Sequence, residues 1–261
     1  EQGFGDTFQY LRWLVPLLRQ GRVIALEVEA PLAALLQQGL AWAGRGLEVM
    51  VRSDVAPLAL EPICQGPLMS LPALLGGSPQ QAADFYLELN PQGRETRLPR
   101  KPRVGLVWAS GQFLNGYVLE REYRRKSLLG APLQSLLNAM AQRPVELVSL
   151  QHGPDRLAPP WLGCFAEVLP ADADFLAMAR LMQTLDLVIS VDTAAAHLAG
   201  ALGQSVWTLL PWAAASRWGR DSATTPWYKT MRLLRQPRHD DWYGLIQLVL
   251  ARLDLWLADW H

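Results

Sequence analysis

The sequence predicts an α/β fold built on two mostly parallel sheets, and three observations predict it. Short apolar runs, such as Val23-Ile24-Ala25-Leu26-Glu27-Val28 and Leu187-Val188-Ile189-Ser190-Val191, alternate along the chain with amphipathic stretches of helical period. The runs are near-continuously apolar, as expected of parallel strands covered on both faces. A stretch rich in Pro, Arg and Gly, Leu89 to Pro102 (LNPQGRETRLPRKP), separates a first series from a second. It reads as an interdomain linker, so the chain divides into two α/β halves facing across a cleft.

Each element has its local reason. Thr7 to Arg19 carries Phe8, Leu11, Leu14, Val15 and Leu18 at helical spacing. Val23–Val28 follows as a strand, then a helix over Pro31–Gln38 with its proline in the first turn. Leu47–Val51 is the next strand, and Leu68–Leu71 a further candidate ahead of Pro72 and a short helix. In the second half, strands are expected at Val104–Trp108, Val145–Leu150, Phe165–Val168, Leu187–Val191, Val206–Leu210 and Met231–Leu234. Helices are expected at Pro132–Ala141, Phe175–Thr184, Thr193–Leu202 and Trp242–Leu257. The domains are therefore 1–95, 103–240 and a closing helix over 241–261.

Composition narrows the function classes. Lys plus Arg and Asp plus Glu both number 24 in 261 residues, and this balance argues against a dedicated nucleic-acid binder. The cluster Arg121, Arg124, Arg125 and Lys126 is the local exception. The cysteines, Cys64 and Cys164, can form neither a zinc site by themselves nor a disulfide framework, which points to a reducing, cytoplasmic setting. No uninterrupted apolar run of about 18 residues suggests a membrane span. Trp207, Trp212, Trp218, Trp227 and Trp242 crowd the last quarter, suited to core and lid packing, with sugar or base stacking open to one or two.

The strongest motif is DLVISVDTAAAHLAGALG, Asp186 to Gly203, where an apolar strand ends in Asp192-Thr193 and a helix starts at once. Ligands of parallel sheets sit at such strand ends, against helix N-termini. Asp192 or Thr193 can cap the helix. Ala194, Ala195 and Ala196 leave the first-turn amides open to a phosphate, aided by the helix dipole, and His197 is one turn in. Close helix–sheet packing is the competing reading of the alanines, and a satisfied core residue that of the histidine. Asp6, in EQGFGDTFQ, directly precedes Thr7 and a helix and reads by position as a helix N-cap. Lys126 lies in a basic, polar loop, REYRRKS, and Asp172-Ala173-Asp174 reads as acidic capping rather than a metal site.

The segment SVDTAAAHLAGALG resembles the donor-site signature of bacterial heptosyltransferases, glycosyltransferase family nine. It is closer still to the glycosyltransferase portion of bacterial tetratricopeptide-repeat proteins related to O-GlcNAc transferases. GFGDTFQYLRWLVPL, VGLVWASG, VELVSLQHG and LLPWAAASRWGRDSATTPWYKTMRLLRQ resemble further family segments in the same order, so the resemblance runs from Gly3 to about Trp242. It implies the GT-B arrangement of two Rossmann-like domains, the first binding acceptor and the second a nucleotide-sugar. It also implies Asp6 as general base on the acceptor hydroxyl. Asp192, Thr193, Ala194 and His197 match the segment holding the donor's sugar and diphosphate, Lys126 the basic residue at the diphosphate, and Gln151 the neighbourhood of the base. Ser110, Gly111, Arg125, Arg217 and Trp218 are further candidates for the donor pocket.

The implied activity is inverting glycosyl transfer without metal or cofactor, from a nucleotide-sugar to a glycan, lipid-linked or protein hydroxyl. A non-catalytic nucleotide-sugar module of a larger repeat protein is the alternative. A nicotinamide oxidoreductase, suggested by Gly3-x-Gly5, fails because Phe8 stands where a third glycine belongs. The sequence departs from the family in its irregular 111–123 stretch, in Ala194 where heptosyltransferases often have Gly, and in having no strand ahead of Gly3. The last point leads to the expectation that the natural protein extends upstream, with a possible repeat domain.

Overall fold

The computed structural model describes residues 3–52, 64–79, 85–90, 101–111, 117–156 and 161–260. The N-terminal half runs α1 (Phe4–Tyr10), a 3-10 turn (Leu11–Trp13), α2 (Leu14–Arg19), β1 (Ile24–Val28), α3 (Ala30–Gly39), β2 (Leu47–Val51) and α4 (Leu71–Leu75). The C-terminal half runs β3 (Arg103–Val107), α5 (Tyr117–Lys126), α6 (Gly130–Ala141), β4 (Glu146–Ser149), β5 (Glu167–Val168) and α7 (Phe175–Gln183). It continues through β6 (Leu187–Val191), α8 (Ala194–Ala201), β7 (Val206–Leu210), β8 (Met231–Arg235) and α9 (Trp242–Ala258).

Three expectations change. The helix expected over Thr7–Arg19 starts at Phe4 and is broken by the 3-10 turn, because Pro16 supplies no N–H and belongs in a first turn, that of α2. Leu68–Leu71 is not a strand: Leu68–Ser70 is a 3-10 turn leading into α4, whose Pro72 sits in the first turn. Lys126 ends a helix rather than lying in a loop. The charges of REYRRKS support α5 through Glu120–Arg124 and Glu122–Arg125 pairs, both at spacings that face each other on a helix. The centre of the expected linker, 91–100, and residues 112–116 of the irregular stretch lie outside the described residues.

Every pairing between these strands is parallel. Among the described residues, β1 and β2 form one sheet, and the other has the order β5-β4-β3-β6-β7-β8. The chain builds outward from β3 to β5, then crosses back to lay β6 on the other side of β3. This reversal makes the carboxyl ends of β3 and β6 the switch point where parallel sheets hold ligands.

Alternate side chains of the larger sheet feed two apolar cores. Leu106, Ile189, Trp207 and Leu209 pack with α6 and α9 on one face. Val107, Val188 and Val206 face α7 and α8, and that cluster continues without a break into Phe8, Leu11, Leu32 and Leu36 of the N-terminal half. Phe4 and Phe8 meet Phe175 edge to face at 5.1 and 5.3 Å. Tyr86 and Leu87 donate their amides to the Ala201 carbonyl at 3.0 and 3.1 Å. Along this face the cleft expected between the halves is closed by packing.

Candidate functional site at the strand ends

β6 is wholly buried and delivers Asp192 and Thr193 to the start of α8. Thr193 stands at the N-cap position with extended backbone, but its side chain makes no capping bond; its Oγ1 lies 3.2 Å from Ser190 Oγ. The Ala196 amide reaches the Thr193 carbonyl at 3.1 Å. The amides of Ala194 and Ala195 precede the first intrahelical bonds and face off the helix start. Lys126 Nζ reaches Asp192 Oδ2 at 3.4 Å.

The loop after β3 and the end of α5 are tied together at this point. The Ser110 amide donates to Ser127 Oγ at 3.0 Å, and the Leu128 amide to the Trp108 carbonyl at 2.7 Å. Arg125 donates to the Ala213 carbonyl beyond β7 and pairs with Glu122, whose carboxyl it holds below the usual range. A side chain at Gly111 would meet open space. Gln151 is buried and fully engaged: Oε1 accepts from the amides of Trp108 and Ala109 at 3.0 and 2.9 Å, and Nε2 donates to the carbonyls of Ala109 and His152. It ties the ends of β3 and β4 and has no amide group left over for a ligand.

The N-terminal half reaches the same helix start. Gly3, not Asp6, occupies the N-cap position of α1, and Asp6 lies inside the first turn, so the capping reading does not hold. A Cβ on Gly5 would stand 3.0 Å from His197 Cδ2 and 3.5 Å from Ala194 Cα, so α1 approaches α8 to a distance only glycine permits without adjustment. Asp6 Oδ1 accepts from Arg217 Nη1 at 2.8 Å, and the same nitrogen donates to Gln9 Oε1.

His197 is buried behind this contact. Its Nδ1 lies 3.0 Å from Tyr228 Oη and its ring stacks on Trp218 at 5.1 Å. Burial lowers its pKa to about 4, against the raising influence of Asp192, so the ring is neutral near pH 7. Burial likewise pushes the Tyr228 phenol well above its ordinary value. Of the tryptophans, Trp207 and Trp218 are core residues, whereas Trp212 is 52% exposed. Asp174 caps α7, accepting from the Ala177 amide at 2.8 Å.

Sequence reasoning missed Arg12. It is fully buried and donates to the carbonyls of Gln9, Pro79 and Trp227. Its guanidinium lies over the rings of Tyr228, Trp227 and Tyr86 at 4.9, 5.6 and 5.5 Å. The signal was present: Arg12 falls between Phe8 and Val15 on the apolar stripe of its helical stretch, where a charge needs a partner.

With the site assembled, comparison with solved structures shows the fold to be that of GT-B glycosyltransferases. E. coli heptosyltransferase WaaC with ADP superposes with a TM-score of 0.56 at 15% identity, covering 99% of this chain and 97% of that one. E. coli ADP-heptose LPS heptosyltransferase II gives 0.59 at 12%, over 99% and 97%. The iron-containing dodecameric glycosyltransferase TibC of enterotoxigenic E. coli gives 0.60 at 12%, over 98% and 75%. At such identities the likeness concerns the fold.

A sequence likeness covers part of the chain. Residues 155–239 match the model of glycosyltransferase family 9 (heptosyltransferase), bearing out the expected resemblance. The matched segment contains Asp192 to His197, Arg217 and Trp218, while Asp6, Lys126 and Gln151 lie outside it. The family and these solved relatives are glycosyltransferases, the enzyme class expected from the sequence. No curated protein matches the chain in sequence. Among the described residues, no helix is long and apolar enough to cross a membrane.

Proposed function

We propose that the protein is an inverting glycosyltransferase that binds a nucleotide-diphosphate sugar at the carboxyl ends of β3 and β6 and transfers the sugar to a hydroxyl held at Asp6. The observation that carries this reading is the approach of Gly5 to Ala194, which sets the acceptor-side carboxylate beside the start of α8. Lys126 and the amides of Ala194 and Ala195 meet the diphosphate there, with the helix dipole adding roughly half a positive charge. Asp192 and Thr193 fix the donor from the strand end. Gln151 orders the loops beside the base through its backbone ties.

The reaction is a single displacement. Asp6 takes the proton of the acceptor hydroxyl as its oxygen bonds to the anomeric carbon, and the bond from that carbon to the diphosphate breaks. The departing charge is stabilised by Lys126 and the helix start, and one displacement inverts the anomeric centre. His197, neutral and buried, sets the spacing between α1 and α8 rather than supplying charge. The acceptor is a glycan, lipid-linked or protein hydroxyl. The adenine nucleotide bound by WaaC makes ADP-sugars the first donors to try.

A thermal-shift series with ADP-, GDP-, UDP- and dTDP-linked sugars identifies the donor, because a ligand of the native state raises the transition temperature. Release of the nucleoside diphosphate then measures turnover, and it is expected to be unchanged by EDTA. Asp6→Asn should lower turnover by about 100-fold or more while nucleotide affinity stays within about threefold. Turnover that survives this substitution would remove Asp6 from the mechanism, and binding without turnover by the unaltered protein would favour a scaffold role.

A further inference from the structure

The sequence offered Arg217 as a lining residue of the donor pocket, but its contacts point elsewhere. Its guanidinium turns to the acceptor side, where one terminal nitrogen bonds both Asp6 and Gln9 of α1. Its backbone is fixed from beneath. Trp218, next in the chain, is buried and stacked on His197, and Trp227 Nε1 donates to the Arg217 carbonyl at 2.9 Å. Gly219, with φ of 64°, ends the short 3-10 turn that presents the side chain. The segment from Arg217 to Tyr228 thus grips α1 and the turn after it. Arg217 holds Asp6 and Gln9, Trp227 meets Tyr10 and Trp13 edge to face at 5.9 and 5.8 Å, and Arg12 lies over Tyr228.

We infer that Arg217 is a positioning residue, contributed by the C-terminal half, that aims the Asp6 carboxylate at the acceptor hydroxyl. The inference rests on the transferase reading given above. Asp6 Oδ1 is taken by Arg217, which leaves Oδ2 to receive the acceptor proton and fixes its direction. A lysine at 217 has the donors for both partners but a shorter reach, and its freely rotating ammonium does not fix their direction. Because Arg217 acts through Asp6 and not on the donor, its removal should slow the chemical step and leave donor binding alone.

The test is a double-mutant cycle on release of ADP from ADP-heptose, with ADP affinity by calorimetry and the thermal transition measured beside it. Arg217→Gln should lower kcat by about 10- to 100-fold with KM for ADP-heptose and Kd for ADP within about twofold. In the Asp6→Asn background the same change should alter kcat by less than about twofold, since its route of action is gone. Arg217→Lys should recover little, and added guanidinium should partly restore Arg217→Ala. A rise in Kd for ADP on Arg217→Gln would place Arg217 on the donor and overturn the inference. So would an equal loss of kcat in both backgrounds, or a loss matched only by a fall in the thermal transition. If the unaltered protein releases no nucleotide from any donor, the transferase reading falls and this inference with it; an active protein indifferent to Arg217→Gln removes this inference alone.

Discussion

Two ion pairs flank the start of α8, and they are held differently. Lys126 meets Asp192 as a point charge at 3.4 Å, from the last turn of a helix that ends in a run of basic residues. Arg217 meets Asp6 at 2.8 Å while also bonding Gln9, inside a clasp of Trp218, Trp227 and Tyr228. A flexible ammonium can swing from its carboxylate to an arriving phosphate, whereas a planar guanidinium with two partners fixes what it touches. The strand-end pair suits exchange with a ligand, and the α1 pair suits permanence.

The clasp is broken most severely at Arg12. Arg12→Ala removes a fully buried side chain from three aromatic rings and strands the carbonyls of Gln9, Pro79 and Trp227. A loss of about 3–5 kcal/mol is expected in urea unfolding, with little recovery in Arg12→Lys, which lacks the fork of donors. Recovery by lysine would show that charge alone, and not the planar fork, holds the clasp.

His197 sharpens the same contrast through pH. Its pKa is about 4 in the folded protein and near 6.5 when unfolded, so between these values the unfolded chain binds the extra proton. The histidine's contribution to stability is complete above about pH 6.5 and is lost as pH falls towards 4, by about 3 kcal/mol in all. Unfolding measured at several pH values should show this slope, and His197→Gln should flatten it. A slope that persists in the variant assigns it to other groups.

The smallest effect belongs to the exchangeable pair. Lys126→Ala should weaken ADP binding by about tenfold in calorimetry while the thermal transition of the unliganded protein stays within about 2 °C. The unaltered protein's ADP affinity should also fall with added salt. A large drop in thermal stability would instead make the Lys126–Asp192 pair a structural strut.

The strands were legible because the sheet is buried. Leu187–Val191 and Val206–Leu210 are apolar but for one small hydroxyl residue each, and the structure places both at the residues expected. Thr193 and Ala194 could be placed at a helix start from the strand–alanine junction alone. What could not be read was who reaches that start from elsewhere. Nothing in the spacing of residues 6, 9 and 217 announces a shared nitrogen, and Arg12 needs three partners distant in sequence. Resemblance alone places Gln151 near the base, and no sequence pattern announces that its amide is consumed by the neighbouring backbone. The proline-flanked Leu68–Leu71 failed because so short a mostly apolar stretch fits a strand or a helix start equally well.

The strand order bears on how the chain is made. β3 is the first strand of the larger sheet to leave the ribosome, and it lies in the interior between β4 and β6. Val104, fully buried, pairs with Leu187, which emerges only after α5, α6, β4 and α7 have been synthesised. Until then one edge of the central strand lacks its neighbour, and the apolar residues meant for both faces wait on distant segments. Parallel pairings of this separation form slowly and leave sticky intermediates exposed. A nascent chain stalled short of β6 is therefore the form expected to recruit chaperones, and slowing translation just before Leu187 should lower the yield of soluble protein more than slowing it after Arg235.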